Sequence, residues 1–181
     1  MKRSKLTTTG WKIALLAAAM TAPGALSAAN FTVTNTDGGT GVAGSLGFIL
    51  GQANASAGPH SIAFNIPGFG TDIPVIEMGA GIPSIARQVS IDGSTQPDSG
   101  QVHLRGLSGS GDGLSFVAGS GNSTVNGLII TGFEGNGISI AGATGHTVDN
   151  CAIGILPTGS RDAEANLGHG IFIASTASGV T

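Results

Sequence analysis

The residues of this chain that could do chemistry are its carboxylates and the arginines near them. Acid–base or calcium-assisted cleavage of a polysaccharide needs clustered carboxylates, often with a cation beside them. Arg161, Asp162 and Glu164 form the densest such cluster. They fall in a stretch with proline and glycine, which is typical of a solvated loop. We therefore treat them as weak candidates for a binding site and not as catalytic residues.

The other acids are scattered along the sequence. Asp112 has Glu134 nearly one repeat later, but the alignment of repeats puts Glu134 in a different turn. Asp149 aligns with Asn126 and not with another acid. Asn126 and Asn150 are interpreted as turn residues that could begin a side-chain ladder along a stack of repeats. These positions predict no pair of cooperating carboxylates.

Two further motifs have structural explanations. In SIDGSTQPDSG, Asp92 stands before Gly93 and is interpreted as a turn-forming residue rather than a ligand. GSGDG at Gly109–Gly113 occurs once, whereas glycine–aspartate calcium sites need stacked copies. We predict no catalytic residue, no metal site and no cofactor.

The histidines and the cysteine add no recognisable site. The four histidines show no metal-ligand spacing and lie beside predicted turns, so we expect exposed corners at His60, His103, His146 and His169. Cys151 aligns with Leu128 at an inward position and is expected to be a small buried hydrophobe. A single cysteine excludes an intrachain disulfide.

An internal repeat determines which elements position these residues. GLSFVAGSGNSTV, GISIAGATGHTV and GIFIASTASGV begin at Gly113, Gly137 and Gly170, so the spacing is 24 and then 33 residues. The additional residues fall in an insert at 156–169. A period in the low twenties with very short strands and glycine corners predicts a parallel β-helix, in which residues one period apart stack.

The predicted β-helix makes the alignment testable. Alternate residues of each strand should form inward stacks, namely Leu114 with Ile138 and Ile171, and Phe116 with Ile140 and Ile173. An antiparallel two-sheet sandwich also explains short strands and turns, but it gives no reason for repeats that stay in phase.

The N-terminal part of the mature chain is interpreted as a cap. Phe31–Thr36 is a predicted strand, and Ser45 can cap a helix whose apolar residues share one face. We assign 30–66 to an N-terminal cap leading into the first coil, and 67–181 to β-helix coils. Such a cap would cover the open end of the stack.

Residues 1–29 have the three parts of a cleaved signal peptide. A basic start precedes the apolar run Ile13–Ala22, which is too short to span a bilayer, and small residues follow. Cleavage is expected after Ala29, with Ala28 as the alternative. The chain is therefore predicted to be secreted or displayed on the cell surface, without membrane insertion by the mature segment.

The mature composition excludes some partners. Three arginines, no lysine and ten carboxylates give the segment after the leader a net charge of −7. Such a surface repels nucleic acid and anionic lipid. A host-surface or polysaccharide ligand is compatible with it.

The motifs FTVTNT, IAFNIPG, VSIDGSTQP and IGILPTGSRDAEANLGHGIFI resemble the N-terminal part of large bacterial secreted proteins with right-handed parallel β-helix repeats, related in architecture to pectate lyases and often autotransporter-like. The resemblance implies an all-β solenoid with a capping strand and helix. The chain departs from that pattern at Gly47, Phe48 and Gly51, so we expect the helix to be short or frayed.

The end of the chain bears on function. Val180 aligns with Val148, and the chain stops one residue later. We expect a fragment, the leading part of a longer protein, whose open C-terminal coil could self-associate. The sequence predicts a non-catalytic stalk, adhesin-like or passenger scaffold. The alternatives are a carbohydrate-active β-helix enzyme, either a polysaccharide lyase or a glycoside hydrolase, and a poorly folding remnant.

Overall fold

The computed structural model describes residues 28–156 and 165–181. The predicted signal peptide, apart from its last two residues, lies outside this part, and so do Arg161, Asp162 and Glu164. The strands are β1 (Ala29–Val33), β2 (His60–Phe64), β3 (Val75–Met78), β4 (Val89–Asp92), β5 (Val102–Gly106), β6 (Leu114–Phe116), β7 (Thr124–Asn126), β8 (Leu128–Thr131), β9 (Ile138–Ile140), β10 (Thr147–Asp149), β11 (Ala152–Ile153) and β12 (Ile171–Ile173). One α-helix, α1 (Leu46–Ala55), and one 3-10 turn (Gly93–Thr95) accompany them.

The strands form three parallel sheets. Sheet A has the order β1-β2-β4-β7-β10, sheet B the order β11-β8-β5-β3 and sheet C the order β12-β9-β6. From β4 onward the chain visits sheets A, B and C in turn, three times over. Every strand pair in the described residues is parallel, so the antiparallel sandwich is wrong.

The predicted stacks of sheet C have the expected register. Ile138 pairs with Leu114 on one side and with Ile171 on the other. Phe116 is almost fully buried, whereas Ile173, two strands away in its stack, is 48% exposed. The stack of Phe116, Ile140 and Ile173 is therefore in the predicted register, and Ile173 is exposed because β12 is the edge of sheet C in the described residues.

The interval between stacked residues is not constant. It is 24 residues between Asp112 and Asn136 but 34 between Ser90 and Thr124. The additional residues lie in the connections, one of which holds the 3-10 turn Gly93–Thr95. A period in the low twenties is therefore correct for only some of the intervals.

Hydrogen bonds at the last residues correct one predicted alignment. The Thr181 N–H donates to the His146 carbonyl oxygen, and the Val148 N–H donates to a Thr181 oxygen. This pattern pairs Thr181 with Thr147. Val180 consequently lies opposite His146, one residue away from the predicted alignment with Val148.

The helix near the start is fully formed despite its glycines. Ser45 is its N-cap and accepts a hydrogen bond from the Phe48 N–H. The apolar face is buried at Leu46, Ile49, Leu50 and Ala53, as predicted. A Cβ on Gly47 would lie 2.5 Å from the Gly38 carbonyl oxygen, so this glycine permits close packing. The helix is short, in line with the expectation, but it is not frayed over these ten residues.

The predicted capping strand belongs to sheet A. It begins at Ala29, two residues before the predicted Phe31, and pairs with β2 over five residues. Its Val33 joins the same apolar core as α1 and the later strands. In the described residues, no helix is long and apolar enough to cross a membrane.

Candidate functional site

The most extended polar arrangement lies on the outward side of sheet A. We call Asp92, Asn126, Asp149 and Asn150 the outer ladder. The first three are in register on β4, β7 and β10. Ser90 and Thr124 are the outward residues two positions before Asp92 and Asn126, and their hydroxyls are hydrogen-bonded to each other at 2.7 Å. Polar side chains thus follow the stack in two columns.

Hydrogen bonds connect the outer ladder from rung to rung. Asn126 Nδ2 donates to Asp92 Oδ1 at 2.8 Å, and Asn150 Nδ2 donates to Asn126 Oδ1 at 3.0 Å. Asn150 has φ 49°, a left-handed conformation that asparagine tolerates well. The predicted ladder is confirmed, but Asn126 lies in strand β7 and is not a turn residue.

Asp92 serves both the turn and the ladder. Its Oδ1 accepts from the Ser94 N–H at 3.0 Å and from the Ser94 hydroxyl at 2.6 Å, so the predicted turn-forming role is confirmed. Burial acts to raise the pKa of Asp92, but the hydrogen bonds from Ser94 and Asn126 outweigh it and hold this pKa below its usual value. The carboxylate is therefore stabilised as the anion.

A second polar cluster lies on the outward side of sheet B. It consists of Glu77, His103, Arg105 and Thr131, which the sequence did not single out as a group. Arg105 forms an ion pair with Glu77, its register partner on β3. His103 Nε2 lies 2.7 Å from Thr131 Oγ1, and both side chains are buried. Further interactions engage His103, Arg105 and Thr131.

A third cluster surrounds Asp112. Asp112 Oδ1 accepts from both the backbone and the side-chain N–H of Asn136, at 2.7 and 2.9 Å. Asp112 also lines an open pocket of about 210 Å³, together with Ser84 and Ser115. Glu134 instead accepts from the Gly109 N–H. The two acids hold different partners, but the connections that carry them stack on each other, since the Glu134 N–H donates to Ser110 Oγ and the Gly135 N–H donates to the Gly111 carbonyl oxygen. The predicted placement of Glu134 in an unrelated turn is not supported.

The histidines correct the sequence prediction. Exposed corners are wrong for three of the four: His60, His103 and His146 are at most 6% exposed. His60 Nδ1 accepts from the Ala29 N–H at 3.3 Å. Alternation with neighbouring apolar residues, as in HSIAF of β2, was the signal for burial. Only the prediction for His169 is correct.

Cys151 is half-buried against the core, close to its predicted environment. Burial raises the pKa of its thiol, which disfavours the reactive thiolate. In the described residues, no group of three or more His, Cys, Asp or Glu side chains could hold a metal ion.

Comparison with known proteins gave no relative: no family model, curated protein or solved structure matches this chain significantly. The functional argument therefore rests on the residues themselves.

Proposed function

We propose that the chain forms a parallel β-helix, right-handed as the sequence resemblance implies, and that it serves as a non-catalytic scaffold of a secreted or cell-surface protein. The repeated A, B, C order of parallel strands supports this solenoid, because each round of three sheets stacks on the one before it.

The outer ladder is the observation that carries the proposed role. A reactive site directs several side chains toward one point where substrate can bind. Here the outward groups of Asp92, Asn126 and Asn150 hydrogen-bond to one another along the stack. Such an arrangement stabilises an extended, regular surface. It suits a stalk, an adhesin-like module or a passenger segment, and its partner is predicted to be a host surface or a polysaccharide.

The Asp112 pocket supplies the observation that favours the alternative, a carbohydrate-active enzyme. It places one carboxylate beside two serine residues in an open depression. Cleavage of a polysaccharide would require a second carboxylate that cooperates with Asp112, or a calcium ion held by carboxylates.

Two measurements test the proposal. Fractionation of the source cells, followed by surface proteolysis and blotting with an antibody to residues 30–181, should find the chain outside the inner membrane. Purified protein incubated with a panel of polysaccharides, with and without calcium, should release neither reducing ends nor unsaturated products. Product formation that disappears in Asp112→Asn, with Asp98→Asn unchanged as the matched control, would establish the enzyme instead.

A further inference from the structure

His146 is a buried histidine immediately before strand β10. Its side chain is 2% exposed. The register of sheet A, extended by one residue, aligns it with Val89 and Ser123. On the other side, the pairing of Thr147 with Thr181 brings Val180 opposite it. The imidazole of His146 therefore lies in a row of inward side chains that are otherwise small and mostly apolar, namely Val89, Ser123 and Val180.

Both ring nitrogens of His146 are buried without a hydrogen bond of good geometry, and the polar group that acts on the ring is the Ser123 backbone. The hydroxyl of Ser123, the register partner of His146, already donates to the Ser120 carbonyl oxygen and accepts from the Val89 N–H. The ring instead packs against Phe116, with centroids 5.0 Å apart. A buried polar group without a partner is costly and unusual in folded proteins.

Few charged groups lie on the elements around His146. Strands β6, β7 and β9 carry no ionisable side chain. On β10, Asp149 is exposed on the outward side, and Cys151 follows two residues later. The exposed Arg87 precedes β4. The Thr181 carbonyl oxygen accepts a hydrogen bond from the Val148 N–H.

The balance of these effects disfavours the charged ring. Burial lowers the pKa of His146, and the nearby Ser123 backbone offsets only part of this effect. Proton uptake would place an imidazolium against Phe116 and Val180 unless the ring reached water.

We propose that His146 is an acid-sensitive latch: its protonation releases the segment after β12 from β10 and opens the coil between residues 143 and 148. Release of this segment breaks the backbone hydrogen bonds from Gly145 to Ser178, from Thr181 to His146 and from Val148 to Thr181. It also breaks two side-chain hydrogen bonds, one from the Gly142 N–H to the Thr176 hydroxyl and one between the hydroxyls of Thr147 and Thr181. The inference rests on these contacts and is independent of the proposed scaffold role.

The direction of the pH effect follows from linkage. The open state binds the proton more readily than the closed state, so the closed coil is fully stable above the open-state pKa of about 6.5. Below it, the opening equilibrium should rise by up to about tenfold per pH unit until the lowered closed-state pKa is reached. A window from pH 7.5 to 5.0 keeps most carboxylates ionised.

Hydrogen–deuterium exchange of the full chain tests the latch, with rates divided by the intrinsic amide rates at each pH. Peptides covering 140–150 and 174–181 should open progressively below pH 6.5, while a peptide covering 60–66 stays protected. His146→Leu should abolish the pH dependence, and His169→Gln, an exposed matched control, should retain it. Protection that does not change with pH, or the same pH dependence in His146→Leu, would overturn the proposal.

An NMR titration keeps the test decisive if His146→Leu does not fold. The His146 Cε1–H resonance should remain at the neutral position until the signals of the 174–181 segment change. Titration of His146 near the ordinary value, with those signals unaltered, would refute the latch.

Discussion

Three glycines at equivalent corners of sheet C provide a matched set of substitutions. They are Gly113, Gly137 and Gly170, each directly before its strand. None has a left-handed φ, so alanine is compatible with the backbone at all three. Their surroundings differ. A Cβ on Gly113 would lie 2.5 Å from the Gly137 carbonyl oxygen. One on Gly137 would lie 2.8 Å from the Gly170 carbonyl oxygen and closer still to the side chains of Ile153 and Asn166, at 2.5 and 2.7 Å.

The obstructing oxygens cannot move freely. The Gly137 oxygen accepts from the Leu114 N–H at 3.0 Å, and the Gly170 oxygen accepts from the Ile138 N–H at 2.9 Å. Relieving either clash separates the strands. Overpacking of this kind costs about 1–3 kcal/mol, and reduced unfolded-chain entropy returns about 0.4–1 kcal/mol. We expect net destabilisation by about 1–2 kcal/mol for Gly113→Ala and Gly137→Ala.

At Gly170 the nearest atom to an added Cβ is 3.6 Å away, which is ordinary contact. Gly170→Ala should therefore be neutral or stabilising by up to about 1 kcal/mol. Urea unfolding followed by far-UV circular dichroism measures all three, because the only tryptophan, Trp11, lies in the predicted signal peptide and the chain has no tyrosine. If Gly113→Ala were as stable as wild type, or Gly170→Ala as destabilised as Gly113→Ala, close stacking at these corners would not be the cause.

Three further predictions concern the cap, the core and the outer ladder. Ser45→Ala should cost about 1–2 kcal/mol of unfolding free energy, because it removes the helix N-cap; the exposed Ser108→Ala should change little in the same urea titration. Ile140→Ala should cost about 2–5 kcal/mol, and Ile173→Ala, in the same stack but 48% exposed, less than half as much; equal losses would contradict the exposure of β12. The pKa of Asp92 is lowered in the folded protein. Its ionised carboxylate therefore contributes stability that is fully present above the unfolded pKa of about 3.9 and is lost as the pH falls through the folded value. Asp92→Asn should flatten the dependence of unfolding free energy on pH below about 4, and an unchanged profile would exclude this contribution.

The sequence predicted sheet C well because its residues repeat in phase. The pairing of Leu114 with Ile138 and Ile171 follows directly from the aligned GLS, GIS and GIF segments. The N-cap at Ser45 also carried a local signal. Parallel pairing followed from the repeat, since equivalent strands of successive coils run in the same direction.

The remaining features depend on contacts between segments that differ in sequence. The intervals between paired residues are unequal, so a fixed period could not align Ser90 with Thr124 across 34 residues. The pairing of Arg105 with Glu77 joins strands with no similarity to each other. Burial of His146 was missed because histidine beside glycine resembles an exposed turn, whereas the register aligns it with Val89 and Ser123.

The polar groups on the two sides of sheet A therefore differ in how well they are hydrogen-bonded. Outside, Asn126 separates Asp92 from Asp149 and bonds to the former, so carboxylates do not face each other across adjacent strands, where like charges are destabilising. The outer ladder is thus internally satisfied near neutral pH. Inside, His146 has no such partner. Mild acid stays above the lowered pKa of Asp92 but reaches the range in which an ordinary histidine is protonated. We expect the response of this sheet to mild acidification to begin in its interior, at His146 and the residues 178–181 that pair beside it.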